Sequence, residues 1–182
     1  MSPAKLPLAN LSSLRVTRHQ IPKHGLIPNT SLQNKPLLIC RGVFAPDVNP
    51  SQIEAHLKAV GVCQPQWRYT MYTTSHFHST THELLVVSAG NASMLFGGEG
   101  NPGRVTEEVR RGDAILIPAG TAHRLLEGTD DFEMVGSYPV GASSWDMCYG
   151  HKGEEGAEDR IRALQWFKHD PLYGEDGPAL SV

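Results

Sequence analysis

The middle of the chain is a succession of short apolar runs, and most of them are followed by residues that favour a turn. Turn signals stand at Ala89-Gly90-Asn91, at Gly97-Gly98 and at Arg110-Arg111-Gly112-Asp113. Short runs at such regular intervals are typical of the strands of a β-barrel or a β-sandwich. The predicted strands are 67–77, 83–88, 93–96, 105–109, 114–117 and 132–138. We therefore predict an all-β fold for this part of the chain.

The flanking segments add helices to this β-rich centre. Asn49 can cap a helix, Pro50 suits its first position, and Gly61 suits its end. A second short helix is predicted over 157–167. No internal repeat or second domain is evident. The predicted division of this single domain is an N-terminal arm with a short strand over 36–41 (1–48), a peripheral helix (49–61), the barrel (62–140) and a C-terminal cover (141–182).

Composition excludes several classes of protein. Hydrophobic residues make up 40% of the chain, enough for a packed core, and the net charge of −3 without a basic run argues against binding to nucleic acid. The three cysteines are an odd number without short spacings, which favours free thiols over disulfides or a thiolate zinc site. There is no apolar run long enough to span a membrane and no hydrophobic signal core. A cytoplasmic protein that binds neither nucleic acid nor membranes is expected.

Four side chains have the spacing of a metal site. His76 and His78 are two residues apart in a strand-like run, so both point to one face. Glu83 begins the next apolar run, and His123 follows the turn at 118–121. Three imidazoles and one carboxylate suit a divalent first-row metal such as Fe, Mn, Ni, Co or Zn. His82 would face away from Glu83 on the same strand, so only one of the two can be a ligand.

The same residues carry a family resemblance. The stretch His76-Phe-His78-Ser-Thr-Thr-His-Glu83-Leu-Leu-Val-Val-Ser-Ala-Gly90 resembles the first cupin motif, and Gly112-Asp-Ala-Ile-Leu-Ile-Pro118-Ala-Gly120-Thr-Ala-His123 resembles the second. The resemblance implies a cupin jelly-roll β-barrel in which His76, His78, Glu83 and His123 hold one metal ion.

Several further segments look like a group of small single-cupin proteins of bacteria and fungi, among them Trp67-Arg68, Gly136-Ser-Tyr-Pro and Asp170-Pro-Leu-Tyr-Gly-Glu-Asp-Gly-Pro. Resemblance to other small cupins also implies a homodimer, in which the N-terminal arm is a plausible exchanging element.

Three further residues are candidates for the site. Glu127 stands where the second motif often has Asn, and a regular strand would turn it inward beside His123 as an acid or base. Arg68 and Tyr72 share parity with His76, which would make them a substrate clamp and a wall of the pocket. The alternatives are a surface carboxylate for Glu127 and a structural ion pair for Arg68. A segment around Trp145 would form either a lid or a packed cover.

The function favoured by these features is a metal-dependent enzyme that acts on a small organic substrate inside the barrel. Dioxygenase-type oxidation is preferred because the ligand set resembles such cupins. An isomerase or a decarboxylase is the enzymatic alternative. A non-catalytic cupin that binds a small ligand is the alternative of another class, since one fold hosts many functions.

Overall fold

A computed structural model describes residues 5–182. Residues 1–4 of the predicted N-terminal arm lie outside the described residues. Within that range the strands are β1 (Arg15–His19), β2 (Leu37–Arg41), β3 (Cys63–Tyr69), β4 (Glu83–Ala89), β5 (Asn91–Phe96), β6 (Val105–Arg110), β7 (Ala114–Ile117), β8 (His123–Gly128) and β9 (Glu133–Pro139). The helices are α1 (Pro50–Val60), α2 (Gly156–Ala163) and a 3-10 turn at Pro178–Leu180.

The strands form two antiparallel sheets that face each other. The larger sheet has six strands in the order β1-β2-β7-β4-β9-β3, and the smaller has three in the order β6-β5-β8. Their facing sides share one apolar core, in which Leu85, Val87 and Ile115 of the large sheet meet Met94 and Phe96 of the small one. The all-β jelly-roll prediction is confirmed. The strands form two facing sheets rather than one closed ring of hydrogen-bonded strands.

The large sheet is buried on both faces. Leu84, Val86 and Leu116 point away from the interior and pack with Ile53 and Leu57 of α1 in a second core. Successive side chains of a strand face opposite ways, so a strand covered on both sides needs apolar residues at consecutive positions. This explains why β4 and β7 read as unbroken apolar runs instead of an alternating pattern.

Helix α1 begins and ends as the sequence predicts. The Asn49 side chain accepts from the backbone N–H of Gln52, whose side chain accepts in return from the backbone N–H of Asn49. At the other end Gly61 has φ 77° and donates to Leu57, which is the left-handed stop that glycine allows. The buried ring of His56 fastens this helix to both ends of the chain. It accepts from the Leu6 N–H and donates to the Leu172 carbonyl.

Three local predictions differ from the structure. The N-terminal arm contains β1, which pairs with β2 along its whole length. The run predicted as one strand over 67–77 is not continuous, because β3 ends at Tyr69 on the large sheet while His76 pairs with β8 of the small sheet. The chain therefore crosses between sheets over 70–75. Helix α2 ends at Ala163 rather than at residue 167.

Within residues 5–182, no helix is both long enough and apolar enough to span a membrane.

Candidate metal centre

Three buried histidines converge at one end of the space between the sheets. His76, His78 and His123 each offer one ring nitrogen, and these three nitrogens lie within 4.8 Å of one another. The backbones of His76 and His123 exchange two hydrogen bonds of 3.2 and 2.9 Å, which fixes the crossing segment against β8. The three histidines thus form a potential metal site.

The backbone determines which nitrogen of each ring is free. The Nδ1 atoms of His76 and His123 lie 2.9 Å from the carbonyls of Thr74 and Thr121, and the Nδ1 of His78 lies 2.5 Å from the carbonyl of Asp146. A carbonyl can only accept, so each Nδ1 carries a proton, and Nε2 is the nitrogen of each ring that is left to bind a cation. This is the usual way in which metal-binding histidines are oriented.

Glu83 completes the set as the first residue of β4. Its Oε2 lies 3.3 Å from Nε2 of His78 and 3.2 Å from Nε2 of His123. Its Oε1 accepts a hydrogen bond of 2.9 Å from the Tyr138 hydroxyl. The structure therefore brings together all four residues that the motifs select.

The chemistry of the four side chains fits a divalent cation. Oε2 of Glu83 and Nε2 of His123 are buried and lack a hydrogen-bond partner among the described residues. Buried acceptors without partners destabilise a fold by about 1–3 kcal/mol each, so such an arrangement needs an explanation. A cation held by three Nε2 atoms and one carboxylate oxygen would satisfy all of them. Metal binding by these residues stays a prediction.

Burial and mutual charge set the ionisation of the group. Burial, with a smaller contribution from His123, lowers the pKa of His76 to about 3. The pKa of Glu83 is well below its usual range even though burial opposes this, because His78 and His123 stabilise the carboxylate. For His78 burial lowers the pKa, but the nearby Glu83 outweighs it and the net shift is upward. Glu83 is therefore ionised at neutral pH, which is the form that coordinates a cation.

A cavity of about 230 Å³ opens onto these ligands. The other residues that line it are Trp67, Arg68, Tyr69, Thr70, Met71, Tyr72, Tyr138, Trp145 and Met147. The rings of Tyr138 and Trp145 are stacked at a centroid distance of 6.5 Å, and Trp145 also contacts His78 edge-on at 5.7 Å. Ligand pockets span roughly 300–1,000 Å³, so this one suits a compact molecule with an apolar body.

Asp146 connects the roof of the cavity to a histidine. Its carboxylate accepts from the Ser79 N–H at 2.7 Å and from the Ser79 hydroxyl at 2.5 Å. Its carbonyl is the partner of His78. The segment around Trp145 is thereby tied to Ser79 and His78, while Trp145 itself is 37% exposed. A lid and a packed cover both stay predictions.

Tyr72 lies at the mouth of the cavity. It lines the pocket as predicted, its ring contacts His76 edge-on at 5.6 Å, and 48% of the residue is exposed. Because it lies in the crossing segment, its position does not follow from the strand parity that suggested it.

The predicted inward orientation of Glu127 is wrong. Met94 pairs with Leu125, and the preceding Ser93 pairs with Glu127, so Leu126 is an extra residue in β8. Such a bulge reverses the alternation of side chains. Glu127 is consequently exposed and does not line the cavity.

The guanidinium of Arg68 points to α1, so it does not have the position that its predicted role as a substrate clamp requires. A bulge lies between Pro65 and Trp67, and it is Trp67 that faces the interior. The Arg68 guanidinium holds both carboxylate oxygens of Glu54 on α1, at 2.7 and 2.9 Å. This is the structural ion pair of the alternative interpretation, at the rim of the cavity.

His82 is buried on the side of β4 opposite to Glu83. Its Nδ1 accepts from the Ala119 N–H at 3.0 Å, and its Nε2 donates to the Gln165 carbonyl at 3.1 Å. Burial lowers its pKa to about 4, so the ring is neutral. The residue joins the turn before His123 to the C-terminal cover.

The sequence did not indicate that Tyr138 belongs to the site or that the carbonyl of Asp146 orients His78. Tyr138 is 55 positions from the glutamate that it contacts, and Asp146 is 68 from its histidine. Neither spacing has a local signature. The segment Gly136-Ser-Tyr138-Pro had drawn attention only as part of a resemblance, so the contacts needed a structure to be seen.

The motifs, the fold and this site agree with the comparisons with known proteins. The profile of the Cupin family matches residues 72–136, which contain all four candidate ligands. The chain belongs to the cupin superfamily. One relative is the uncharacterised protein YjlB of Bacillus subtilis (strain 168), 34% identical over 117 residues, which cover 64% of this chain and 68% of the relative.

Solved structures show more distant likenesses. Procruciferin, an 11S globulin from Brassica napus, is 12% identical with a TM-score of 0.37, over 63% of this chain and 22% of that one. An oxalate decarboxylase mutant of Bacillus subtilis is 12% identical with a TM-score of 0.34, over 75% and 27%. Streptomyces albus HEPD, solved with 2-hydroxyethylphosphonate and Fe(II), is 14% identical with a TM-score of 0.29, over 59% and 18%. In each case this chain spans less than a third of the solved chain.

Proposed function

We propose that this cupin is a metal-dependent enzyme that oxidises a compact, largely apolar organic substrate in a dioxygenase-type reaction. The observation that carries the proposal is the position of the candidate ligands, which stand at the floor of a cavity walled by aromatic and methionine side chains. Dioxygen is the oxidant, and both of its atoms enter the product, so no external reductant is needed.

A divalent metal ion at this floor would supply Lewis acidity and, if it is iron or another redox-active ion, one-electron chemistry. His76, His78, His123 and Glu83 would hold it. Four protein ligands leave coordination positions open on an octahedral ion. Those positions would face the cavity, because His76, His78 and Glu83 all line it.

The walls of the cavity define what the substrate can be. Trp67, Tyr138 and Trp145 offer large apolar surfaces that exclude water from the ligand side of the cavity. Among the described lining residues the only guanidinium or ammonium group is that of Arg68, and Glu54 already neutralises it. These features favour a substrate that is neutral or singly charged and that reaches the metal through its own oxygen atoms.

The same walls weigh against a sugar isomerase. A sugar carries many hydroxyl groups, and each of them needs a polar partner when it is removed from water. The carboxylate of Glu83 is the one ionised acid among the described lining residues, and it faces the histidines. Apart from the histidines, the walls offer a sugar mainly neutral hydroxyl and indole groups, and ionised side chains are scarce.

Oxygen consumption tests the proposal. Protein reconstituted with Fe(II) would be supplied with a panel of phenols, catechols and small hydroxy or keto acids while dissolved oxygen is recorded. The expected result is substrate-dependent uptake of one dioxygen per product, with both labelled atoms recovered in the product when ¹⁸O₂ is used. A His123→Ala variant serves as the control without a complete site.

The other outcomes assign other functions. Conversion of a compound without oxygen uptake would favour a decarboxylase or an isomerase. Saturable binding by calorimetry without conversion would favour the non-catalytic ligand-binding cupin. The prediction of a homodimer is separate from the reaction, and light scattering on the purified protein tests it.

A further inference from the structure

A hydrogen-bond chain of fixed direction ends at Glu83. The indole Nε1–H of Trp67 donates to the Tyr138 oxygen at 2.8 Å, and the Tyr138 hydroxyl lies 2.9 Å from Oε1 of Glu83. An indole nitrogen can only donate. The Tyr138 oxygen must therefore accept from Trp67, and its own proton is directed to Glu83.

This chain distinguishes the two oxygens of the Glu83 carboxylate. The terminal torsion of a glutamate is soft and roughly two-fold, so the side chain alone does not decide which way its oxygens point. In the structure Oε1 is occupied by Tyr138, while Oε2 faces His78 and His123 without a hydrogen-bond partner. One oxygen is thus left for a cation.

We propose that Tyr138, oriented by Trp67, is a positioning residue that holds Glu83 with a single carboxylate oxygen directed at the metal. The proposal rests on the metal binding proposed above, but it does not depend on which reaction the protein catalyses. Hydrogen bonds to metal ligands of this kind commonly change metal affinity by about 10- to 100-fold.

The surroundings of Tyr138 are suited to this role. The residue lies in β9, is 2% exposed, and its ring is stacked by Trp145. Trp67 can approach because the residue opposite to it is Gly136, where a Cβ atom would lie 2.0 Å from the indole ring.

The test is a titration of Tyr138→Phe with Co(II). This change keeps the ring and removes the hydroxyl that donates to Oε1 of Glu83. We expect the dissociation constant for Co(II), followed by its visible absorption, to rise about tenfold or more, with a changed spectrum, because the carboxylate is no longer fixed. The increase in melting temperature that Co(II) produces should shrink accordingly.

A merely structural role for the hydroxyl makes the opposite prediction. Metal-free and Co(II)-loaded protein would then lose the same number of degrees, and the dissociation constant would stay at the wild-type value. That result overturns the proposal. If the wild-type protein itself fails to bind Co(II), the predicted metal site is wrong, and not only the proposed role of Tyr138.

Two further variants sharpen the comparison. Trp67→Phe removes the indole donor and keeps an aromatic ring, so it should weaken Co(II) binding in the same direction but by less than Tyr138→Phe. If Tyr138→Phe does not fold, Trp67→Phe decides, and wild-type affinity in it refutes the chain. Tyr149→Phe is the matched control, because it removes a tyrosine hydroxyl outside the cavity and should leave the affinity unchanged.

Discussion

Replacement of Gly136 by alanine should lower the stability of the folded protein, because the new Cβ atom would clash with the side chain of Trp67. A Cβ atom at this position would lie 2.0 Å from Cε2 and 2.2 Å from Cζ2 of Trp67. Carbon atoms in contact are roughly 3.5–4.0 Å apart, so the indole would have to move by about 1.5 Å. Cε2 is bonded to the nitrogen that donates to Tyr138, and the 2.8 Å hydrogen bond would be lost with that movement.

The size of the effect follows from two contributions. Overpacking a core destabilises by about 1–3 kcal/mol, and the lost hydrogen bond adds about 0.5–1.5 kcal/mol. The reduced entropy of the unfolded chain works in the opposite direction by about 0.4–1 kcal/mol. The net loss should therefore be about 2–3 kcal/mol, which for a chain of this size lowers the melting temperature by roughly 5–10 °C.

Urea denaturation of the metal-free protein measures this loss directly. A double-mutant cycle isolates the contact, because in a Trp67→Ala background the alanine at 136 meets no indole and should cost less than about 0.5 kcal/mol. Equal losses in the two backgrounds, or a Gly136→Ala protein as stable as the wild type, would refute the reasoning.

Four further results are expected. His123→Ala should lose most of its bound metal by elemental analysis while His82→Ala retains it, since only His123 directs a free nitrogen at the site; equal loss in both would contradict the ligand assignment. Chelation should lower the melting temperature and leave the circular dichroism of a folded protein, because two apolar cores remain without metal; complete unfolding would show that these cores are insufficient. Glu127→Gln should change stability by less than about 0.5 kcal/mol and leave turnover intact, because the residue is exposed; a large fall in turnover would restore it to the site. Burial lowers the pKa of His56, so the unfolded chain binds a proton more readily than the folded one, and the stability present above about pH 6.5 should fall as the pH drops below it. Urea midpoints across that range should vary less in His56→Asn, and an equal slope in both proteins would exclude His56 as the cause.

The sequence was sufficient for the β class and for the four candidate ligands, because both depend on short-range patterns. Turn residues separate the strands. The residues from His76 to Glu83 lie close together in the sequence, between the end of β3 and the first residue of β4. Helix α1 was predictable for the same reason, since Asn49 and Gly61 act on their immediate neighbours.

The orientations of Glu127 and Arg68 were beyond the sequence. The orientation of Glu127 depends on a bulge at Leu126 in β8, and one extra residue reverses a face without a local signature. The orientation of Arg68 depends on the crossing over 70–75, which interrupts the strand along which its parity was counted from His76. The burial of His56 was likewise beyond the sequence, because its partners at Leu6 and Leu172 come from opposite ends of the chain. Long-range pairings of this kind are absent from any sequence window.

Hydrogen bonds of Asp146 hold one wall of the cavity, whereas another wall is formed by exposed tyrosines. The carboxylate of Asp146 is held by Ser79 and its carbonyl by His78, so a movement of the flanking Trp145 and Met147 that displaces Asp146 would also break the hydrogen bond that orients a histidine of the metal site. On the opposite side Tyr69 and Tyr72 are half exposed, and within residues 5–182 their hydroxyl groups have no hydrogen-bond partner. These two tyrosines can therefore change rotamer without breaking a hydrogen bond, whereas Trp145 and Met147 flank a residue that is tied to the metal site.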